Sequence, residues 1–174
     1  MKHGHECGAE TPGPHLLLGA IAGLVGTAVM TAVIERLHSR LPISQRYPMP
    51  PREVTGAIVG ETPSHKRKHV GELAIAAHFG FGAAAGVLLA ALNPTGRPLP
   101  GVIIGIGVWA GSYFGWIPAL RLLKPVSQHP TQRTVVMVAA HVVWGLATAV
   151  AMRELIGARH GMFAGGAMVD RDIQ

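Results

Sequence analysis

The chain has 174 residues, of which 49% are hydrophobic and only 14% charged, and its formal net charge is +6. Soluble domains carry about 25% charged residues, so this composition excludes an ordinary water-soluble globular protein and favours a membrane protein. A net positive charge could also indicate a nucleic-acid partner, but the basic residues cluster in loops between long apolar runs. Anionic lipid head groups are the simpler partner for such loops, and we expect no nucleic-acid binding.

The first 14 residues, within the polar stretch MKHGHECGAETPGPH, are predicted to form a flexible tail. This tail contains His3, His5 and Cys7, and imidazole and thiolate groups are ligands that copper and zinc accept in proteins. A metal site formed by these three residues is one hypothesis. A disordered tail with no bound metal is the alternative, because the segment is short and polar.

Four long apolar runs follow the tail. A bilayer core about 30 Å thick is crossed by roughly 20 residues of α-helix, and each run reaches that length. Strands of a membrane β-barrel would be about 10 residues long and would alternate in polarity, which these runs do not. The sequence therefore predicts an all-α, polytopic membrane protein with one integral membrane domain. The predicted transmembrane helices cover residues 16–36, 72–92, 101–122 and 133–154, and residues 157–174 are a second flexible tail.

The loop between the first two spans contains RYPMPPREVTGAIVGETP and then SHKRKH. The paired prolines predict a short interfacial helix over 52–59, with Val54, Ile58 and Val59 facing inward. The basic side chains of this loop are expected to bind anionic lipid head groups, and a cytoplasmic partner is the alternative. The residues predicted to make these contacts are Arg52, Lys66, Arg67 and Lys68.

The distribution of lysine and arginine predicts the orientation in the membrane. Ten of the 15 basic residues lie in the loops 36–72 and 121–133. Cytoplasmic loops carry the excess of positive charge, so both loops are predicted to be cytoplasmic and both termini to lie outside. The predicted location is a bacterial inner membrane.

Glycines four residues apart recur in the predicted spans. Small residues at this spacing let helix backbones approach closely in lipid. GxxxG pairs occur at Gly19 and Gly23 and at Gly82 and Gly86, and the third span carries a run at Gly107, Gly111 and Gly115. That run predicts a contact with a neighbouring helix, either within the chain or in a homo-oligomer. Pro118 follows it and predicts a bend in the third span.

An internal repeat is visible in the second and fourth spans. Ala76-Ala77-His78 aligns with Ala139-Ala140-His141, and Gly82 aligns with Gly145. The first and third spans align more weakly. We therefore predict a helical hairpin used twice in the same orientation, as a parallel repeat.

The same stretches resemble the YagU-type family of small bacterial inner-membrane proteins. AAHVVWGLATAVAMREL is similar to the closing helix of that family, and AAHFGFGAAAGVLLAAL to its penultimate helix. The resemblance implies an integral inner-membrane protein with no established biochemical activity and a link to acid tolerance. The positions that carry it are His141, Val142, Val143, Trp144 and Arg153 in the last span, and His78 and Gly86 in the second.

His78 and His141 are the candidate site residues, because an ionisable group inside a membrane span is a functional candidate by default. Helical periodicity puts both on faces rich in small residues and at a similar depth. They could be the axial ligands of a b-type haem, with Gly82 and Gly145 leaving room for the macrocycle. They could handle protons or ions. They could also be structural, each forming a hydrogen bond to Thr27, Thr31, Ser112 or Tyr113.

No enzyme signature accompanies these histidines. The sequence has no GxxxxGK[ST] phosphate loop, no HExxH and no CxxC, and the acidic residues of the predicted spans, Glu35, Glu72 and Glu154, stand at the span ends. We therefore expect no enzymatic activity. The expected function is a structural or stress- and acid-related role in the inner membrane, with haem binding and proton or ion handling as alternatives.

Overall fold

The computed structural model describes residues 12–40, 50–59, 66–121, 131–159 and 161. Within these residues the secondary structure is helical and contains no strand, so the all-α prediction is confirmed. In chain order the elements are α1 (Pro12–Ser39), α2 (Pro50–Val59), α3 (Lys66–Leu92), α4 (Pro98–Ala110), a π-helical turn (Gly111–Trp116), α5 (Ile117–Ala119) and α6 (Thr131–Arg159).

Four helices are long and apolar enough to cross a membrane, as predicted: Gly13–Ser39, His69–Leu92, Pro98–Ala119 and Thr131–Arg159. Many of their large apolar side chains face away from the protein, including Leu17 at 62% and Phe114 at 66% exposure. Such exposure is unfavourable in water and expected in lipid. These helices are compatible with an integral membrane protein.

The third span is interrupted between α4 and α5. Its backbone forms a π-helical turn, and Gly115 leaves the helical region with φ −102° and ψ −107°. Pro118 explains the interruption, because its nitrogen carries no hydrogen and its ring crowds the carbonyl of the residue four positions earlier. The predicted bend is confirmed, and it is centred three residues before the proline.

α1 occupies the middle of the helix arrangement. It packs extensively against both α3 and α6, and α4 packs on the other side of α6. Direct contact between α3 and α4, or between α3 and α6, is slight. The spans therefore follow the spatial order α3, α1, α6, α4, and most of the buried apolar side chains cluster where α1, α3, α4 and α6 converge.

Glycines form the closest helix crossings. A Cβ added at Gly19 would overlap Ala90, and one at Gly23 would meet Gly82 and Gly86, so α1 and α3 run antiparallel with their backbones in contact. α4 and α6 cross in the same manner. There Gly101 faces Gly145 and Ala149, and Gly105 faces His141 and Gly145.

The short connection between α3 and α4 is closed by Asn93, whose side chain is only 3% exposed. Its Nδ2 donates to the Arg97 carbonyl at 2.8 Å, and its Oδ1 accepts from the Arg97 amide at 3.1 Å. Gly96 adopts a left-handed conformation with φ +63°. This places its backbone directly against α6 at Ala149 and Arg153. The Asn93–Arg97 connection therefore holds α4 in position against α6.

The predicted short helix of the first loop is present as α2. α2 packs against α3, and its buried residues include Thr55 and Gly56. Ile58, predicted to face inward, is 65% exposed. An exposed Ile58 is free to contact lipid, so the orientation of Val54, Ile58 and Val59 toward the membrane stays a prediction.

Candidate functional site

A layer of polar side chains crosses the otherwise apolar interior where α1, α3 and α6 meet. We call it the polar layer and define it as Thr27, Thr31, His78, His141, Trp144 and Thr148. Burying a polar group without a hydrogen bond costs free energy, so most buried polar groups are hydrogen-bonded. The hydrogen bonds of this layer therefore decide what it can do.

Thr27 is the junction of the layer and is only 1% exposed. Its hydroxyl donates to the Gly23 carbonyl of its own helix at 2.7 Å. Its oxygen accepts from the indole Nε1 of Trp144, on α6, at 3.2 Å. Gly82, on α3, has no side chain, and the Thr27 side chain fills the space beside it. One threonine thus connects all three helices.

Thr31, one turn further along α1, holds His78 of α3. The Thr31 hydroxyl donates to the Thr27 carbonyl at 2.8 Å, and its oxygen lies 3.2 Å from His78 Nε2. The single hydroxyl proton is committed to the carbonyl, so His78 must donate from Nε2. In the neutral ring Nδ1 is then an unprotonated acceptor. Of the four partners predicted for the histidines, Thr31 is the one bonded to His78.

His141 forms its hydrogen bond within α6. Its Nδ1 lies 2.8 Å from the Met137 carbonyl oxygen, one turn earlier. A carbonyl only accepts, so Nδ1 carries the hydrogen and Nε2 of the neutral ring has a free lone pair. Among the described residues, His141 has no hydrogen bond to another helix, and the expectation of a cross-helix bond is wrong for it.

His78 lies on α3 and His141 on α6, two helices that make only slight direct contact. The unprotonated nitrogens are His78 Nδ1 and His141 Nε2, and neither has a hydrogen-bond partner among the described residues. Each ring is thus held through one nitrogen and has the other available. The layer therefore contains two imidazoles, each with one ring nitrogen that has no hydrogen bond to another described residue.

Gly82 and Gly145, expected to flank the histidines, lie at helix crossings. Gly82 faces the Thr27 side chain, and Gly145 faces the backbones of Gly101 and Gly105. Neighbouring helices occupy the space beside both glycines in this arrangement.

Two polar side chains near the histidines were not predicted as partners in the layer. In the sequence, Trp144 stands out only as part of the stretch that resembles a family motif. A buried indole N–H usually needs a hydrogen-bond acceptor, so a tryptophan within an apolar run already indicates one nearby. Thr148 is fully buried against Gly26, and its Oγ1 has no hydrogen-bond partner within the described part of the chain. Ser112, a predicted histidine partner, instead accepts from Trp116 Nε1 at 3.3 Å.

The remaining predicted site residues are separate from this layer. His3, His5 and Cys7 lie outside the described residues, and the first turn of α3 contains Lys66, Arg67 and Lys68, whose side chains are not described. Arg52 is exposed on α2. Gly107, Gly111 and Gly115 face outward, with no described atom within 4 Å of an added Cβ. Over the described ranges, no group of three or more His, Cys, Asp or Glu side chains could hold a metal ion.

Replacing Thr27 by valine should destabilise the protein by about 1–2 kcal/mol. Valine has nearly the same shape but cannot accept the Trp144 Nε1–H, which is left buried without a partner. Thermal unfolding in detergent of Thr27→Val, Trp144→Phe and the double variant measures the coupling. We expect a coupling of about 0.6–1.7 kcal/mol between the two residues. Strictly additive losses would show that this hydrogen bond does not stabilise the helix contact.

Comparisons of the chain with known protein families, with curated proteins and with solved structures found no match, so the resemblance to the YagU-type family has no support from them.

Proposed function

We propose that this chain is a structural or stress-related integral protein of the bacterial inner membrane. The observation that carries this proposal is the convergence of hydrogen bonds on α1. Trp144 reaches Thr27 from α6, and His78 reaches Thr31 from α3. In lipid, where apolar surfaces provide little drive for helix association, interhelical hydrogen bonds and close backbone packing supply it. The polar layer then maintains one arrangement of three helices.

A bis-histidine haem protein is the competing function. Three contacts support the structural role over it. His78 Nε2 is occupied by Thr31, Gly82 is filled by Thr27, and Gly145 is packed against α4. Haem binding at this position would require α1 and α4 to move away from these contacts.

The two functions predict different results for the variants His78→Ala and His141→Ala. If His78 is structural, its removal loses a bond between helices worth about 1 kcal/mol and lowers Tm by about 3 °C. His141→Ala should have a smaller effect, because its bond lies within α6. If both are haem ligands, either substitution should abolish the haem spectrum.

The test is thermal unfolding and an absorbance spectrum of the same detergent-purified samples, from cells supplied with a haem precursor. His69→Ala is the matched control, since His69 is on α3 with an 80% exposed side chain. A featureless spectrum and a Tm loss larger for His78→Ala than for His69→Ala support the structural role. A Soret band lost in both variants, or equal Tm values for His78→Ala and His69→Ala, contradicts it.

The proposed orientation has both basic loops in the cytoplasm and both termini outside, as the distribution of basic residues supports. The sequence contains a single cysteine, Cys7, in the N-terminal segment. Spheroplasts expose the outer face of the inner membrane. We therefore expect a membrane-impermeant maleimide to label Cys7 in them. A Cys7→Ser variant with Ser64→Cys in the first basic loop should react only after the membrane is opened. The reverse pattern would invert the orientation.

We also infer that the α1–α3 and α4–α6 pairs are two copies of one hairpin. Their crossings support this inference because Gly19 and Gly23 contact α3 as Gly101 and Gly105 contact α6. In that correspondence Gly86 matches Gly145 and Gly82 matches His141. The packing is therefore offset by one helical turn from the alignment that pairs the two histidines.

A further inference from the structure

We propose that the ends of α1, α2 and α3 form a binding surface for the phosphate head groups of anionic membrane lipids. We call this surface the basic rim and define it as Arg36, Arg40, Arg52, Lys66, Arg67 and Lys68. The inference rests on the proposed location in a membrane and goes beyond the structural role of the polar layer. It extends the lipid contacts expected from the sequence to two arginines at the end of α1.

The register between α1 and α3 brings the basic end of one helix to the basic start of the other. Thr27 of α1 packs on Gly82 of α3. One turn later in α1, Thr31 contacts His78, which lies one turn earlier in α3. Two further turns of this antiparallel register place residues 36–40 beside the first two turns of α3. The basic residues of α1 and α3 therefore lie at the same end of the molecule.

The short helix α2 adds Arg52 to the same surface. α2 packs against α3, and Thr55 and Gly56 are buried. Arg52 precedes these two residues by three and four positions, so it lies on the same side of α2. Its side chain is exposed at the start of the helix. Three adjoining elements therefore contribute basic residues to the rim.

The basic rim has an excess of positive charge. Its six basic residues share these parts of α1, α2 and α3 with three acidic ones, which leaves a net charge of +3 with histidine neutral: Glu35, Glu53 and Glu72. The side chains of Arg36, Arg40 and Arg52 are exposed and form no ion pair with another described residue. A guanidinium group matches a phosphate in a bidentate manner, so these three arginines fit an anionic phosphate ligand.

Exposed apolar side chains begin directly beside the basic rim, which favours a lipid over a soluble phosphate compound. On α3, Leu73 is 47% exposed and Ile75 is 62% exposed. They follow Lys68 by about 8–11 Å along the helix at 1.5 Å per residue. The head-group region of one leaflet is about 5–8 Å thick, so the basic turn lies among head groups when these side chains contact acyl chains. An anionic phospholipid satisfies both parts of this surface.

The experiment measures lipid binding to the purified full-length chain by native mass spectrometry in a neutral detergent. The chain is titrated with phosphatidylglycerol, with phosphatidylcholine, and with glycerol phosphate, which carries a phosphate but no acyl chains. We expect phosphatidylglycerol to bind more tightly than either of the other two.

Two variants with equal loss of charge locate the binding surface. The first combines three substitutions in the basic rim: Arg36→Gln, Arg40→Gln and Arg52→Gln. Its matched control removes the same charge from exposed arginines at the opposite end of the helices: Arg97→Gln, Arg153→Gln and Arg159→Gln. The affinity for phosphatidylglycerol should fall about fivefold for each arginine of the rim, and about 100-fold for all three. It should remain unchanged in the control.

The comparison of the lipids on the wild-type chain needs no substitution, so it tests the proposal even where a variant fails to fold. Equal affinity for phosphatidylglycerol and phosphatidylcholine, equal losses in the two variants, or equally tight binding of glycerol phosphate would overturn the proposal. A chain that is soluble without detergent would instead contradict the membrane location on which the inference rests. The structural role is judged from the Tm of His78→Ala, so it can fail separately from the lipid surface.

Discussion

Replacing Gly105 by leucine should destabilise the protein by about 3 kcal/mol, the upper end of the usual cost of inserting bulk into a packed contact. A Cβ at this position would overlap the His141 carbonyl oxygen and lie 3.1 Å from the Gly145 Cα. Both neighbours are backbone atoms and cannot turn away as a side chain could. The substitution therefore separates α4 from α6 along the crossing.

Gly107 provides the matched control for this prediction. It lies two residues further along α4, and no described atom is within 4 Å of where its Cβ would be. Gly107→Leu should keep the wild-type Tm in detergent, whereas Gly105→Leu should lower it by about 10 °C. Similar Tm losses in the two variants would contradict the glycine crossing between α4 and α6.

The second large effect is expected for Gly96→Ala, at the connection between α3 and α4. At φ +63° an alanine costs about 1–2 kcal/mol because its Cβ crowds its own backbone. The added Cβ would also lie 2.7 Å from the Ala149 carbonyl oxygen and 2.9 Å from the Arg153 amide nitrogen. Together these effects should cost about 3 kcal/mol and release the connection from α6.

Gly80→Ala tests whether that loss comes from the special environment of Gly96. Gly80 lies inside α3 with nothing within 4 Å of an added Cβ, so alanine there should be neutral or stabilise the helix by up to about 1 kcal/mol. Thermal unfolding of both variants in one detergent gives the comparison. A Gly96→Ala protein as stable as Gly80→Ala would show that the connection does not pack as described.

The four candidate membrane-spanning helices could be predicted because about 20 apolar residues in series have few other stable structures. The ends of these helices were predicted less accurately. α3 begins at Lys66 rather than residue 72, and α6 continues to Arg159 rather than residue 154. Hydropathy identifies the part of a helix that lipid surrounds, but backbone hydrogen bonding continues into the polar residues on either side.

Of the polar layer, sequence pattern could predict the two histidines, but not the membership of Trp144 and Thr148 or the contacts between its side chains. Periodicity indicated that His78 and His141 face other helices, yet it left four possible partners open. The contact with Thr31 depends on the register between α1 and α3, which glycines on both helices set. Periodicity also separates Gly105 from Gly107 by about 200° around α4, so only one of them can face α6. Sequence alone does not say which.

The central position of α1 has a consequence for biosynthesis. α1 is made before the other described spans, yet one of its two packing partners is α6, the last of them. Translation at about 5–20 residues per second leaves the α6-facing side of α1, including Gly26 and Thr27, uncovered for several seconds in the nascent chain. In the proposed membrane protein, insertion machinery or lipid would shield that side until Trp144 emerges. The helix packing of the proposed membrane protein is therefore complete only after the α6 segment has been synthesised.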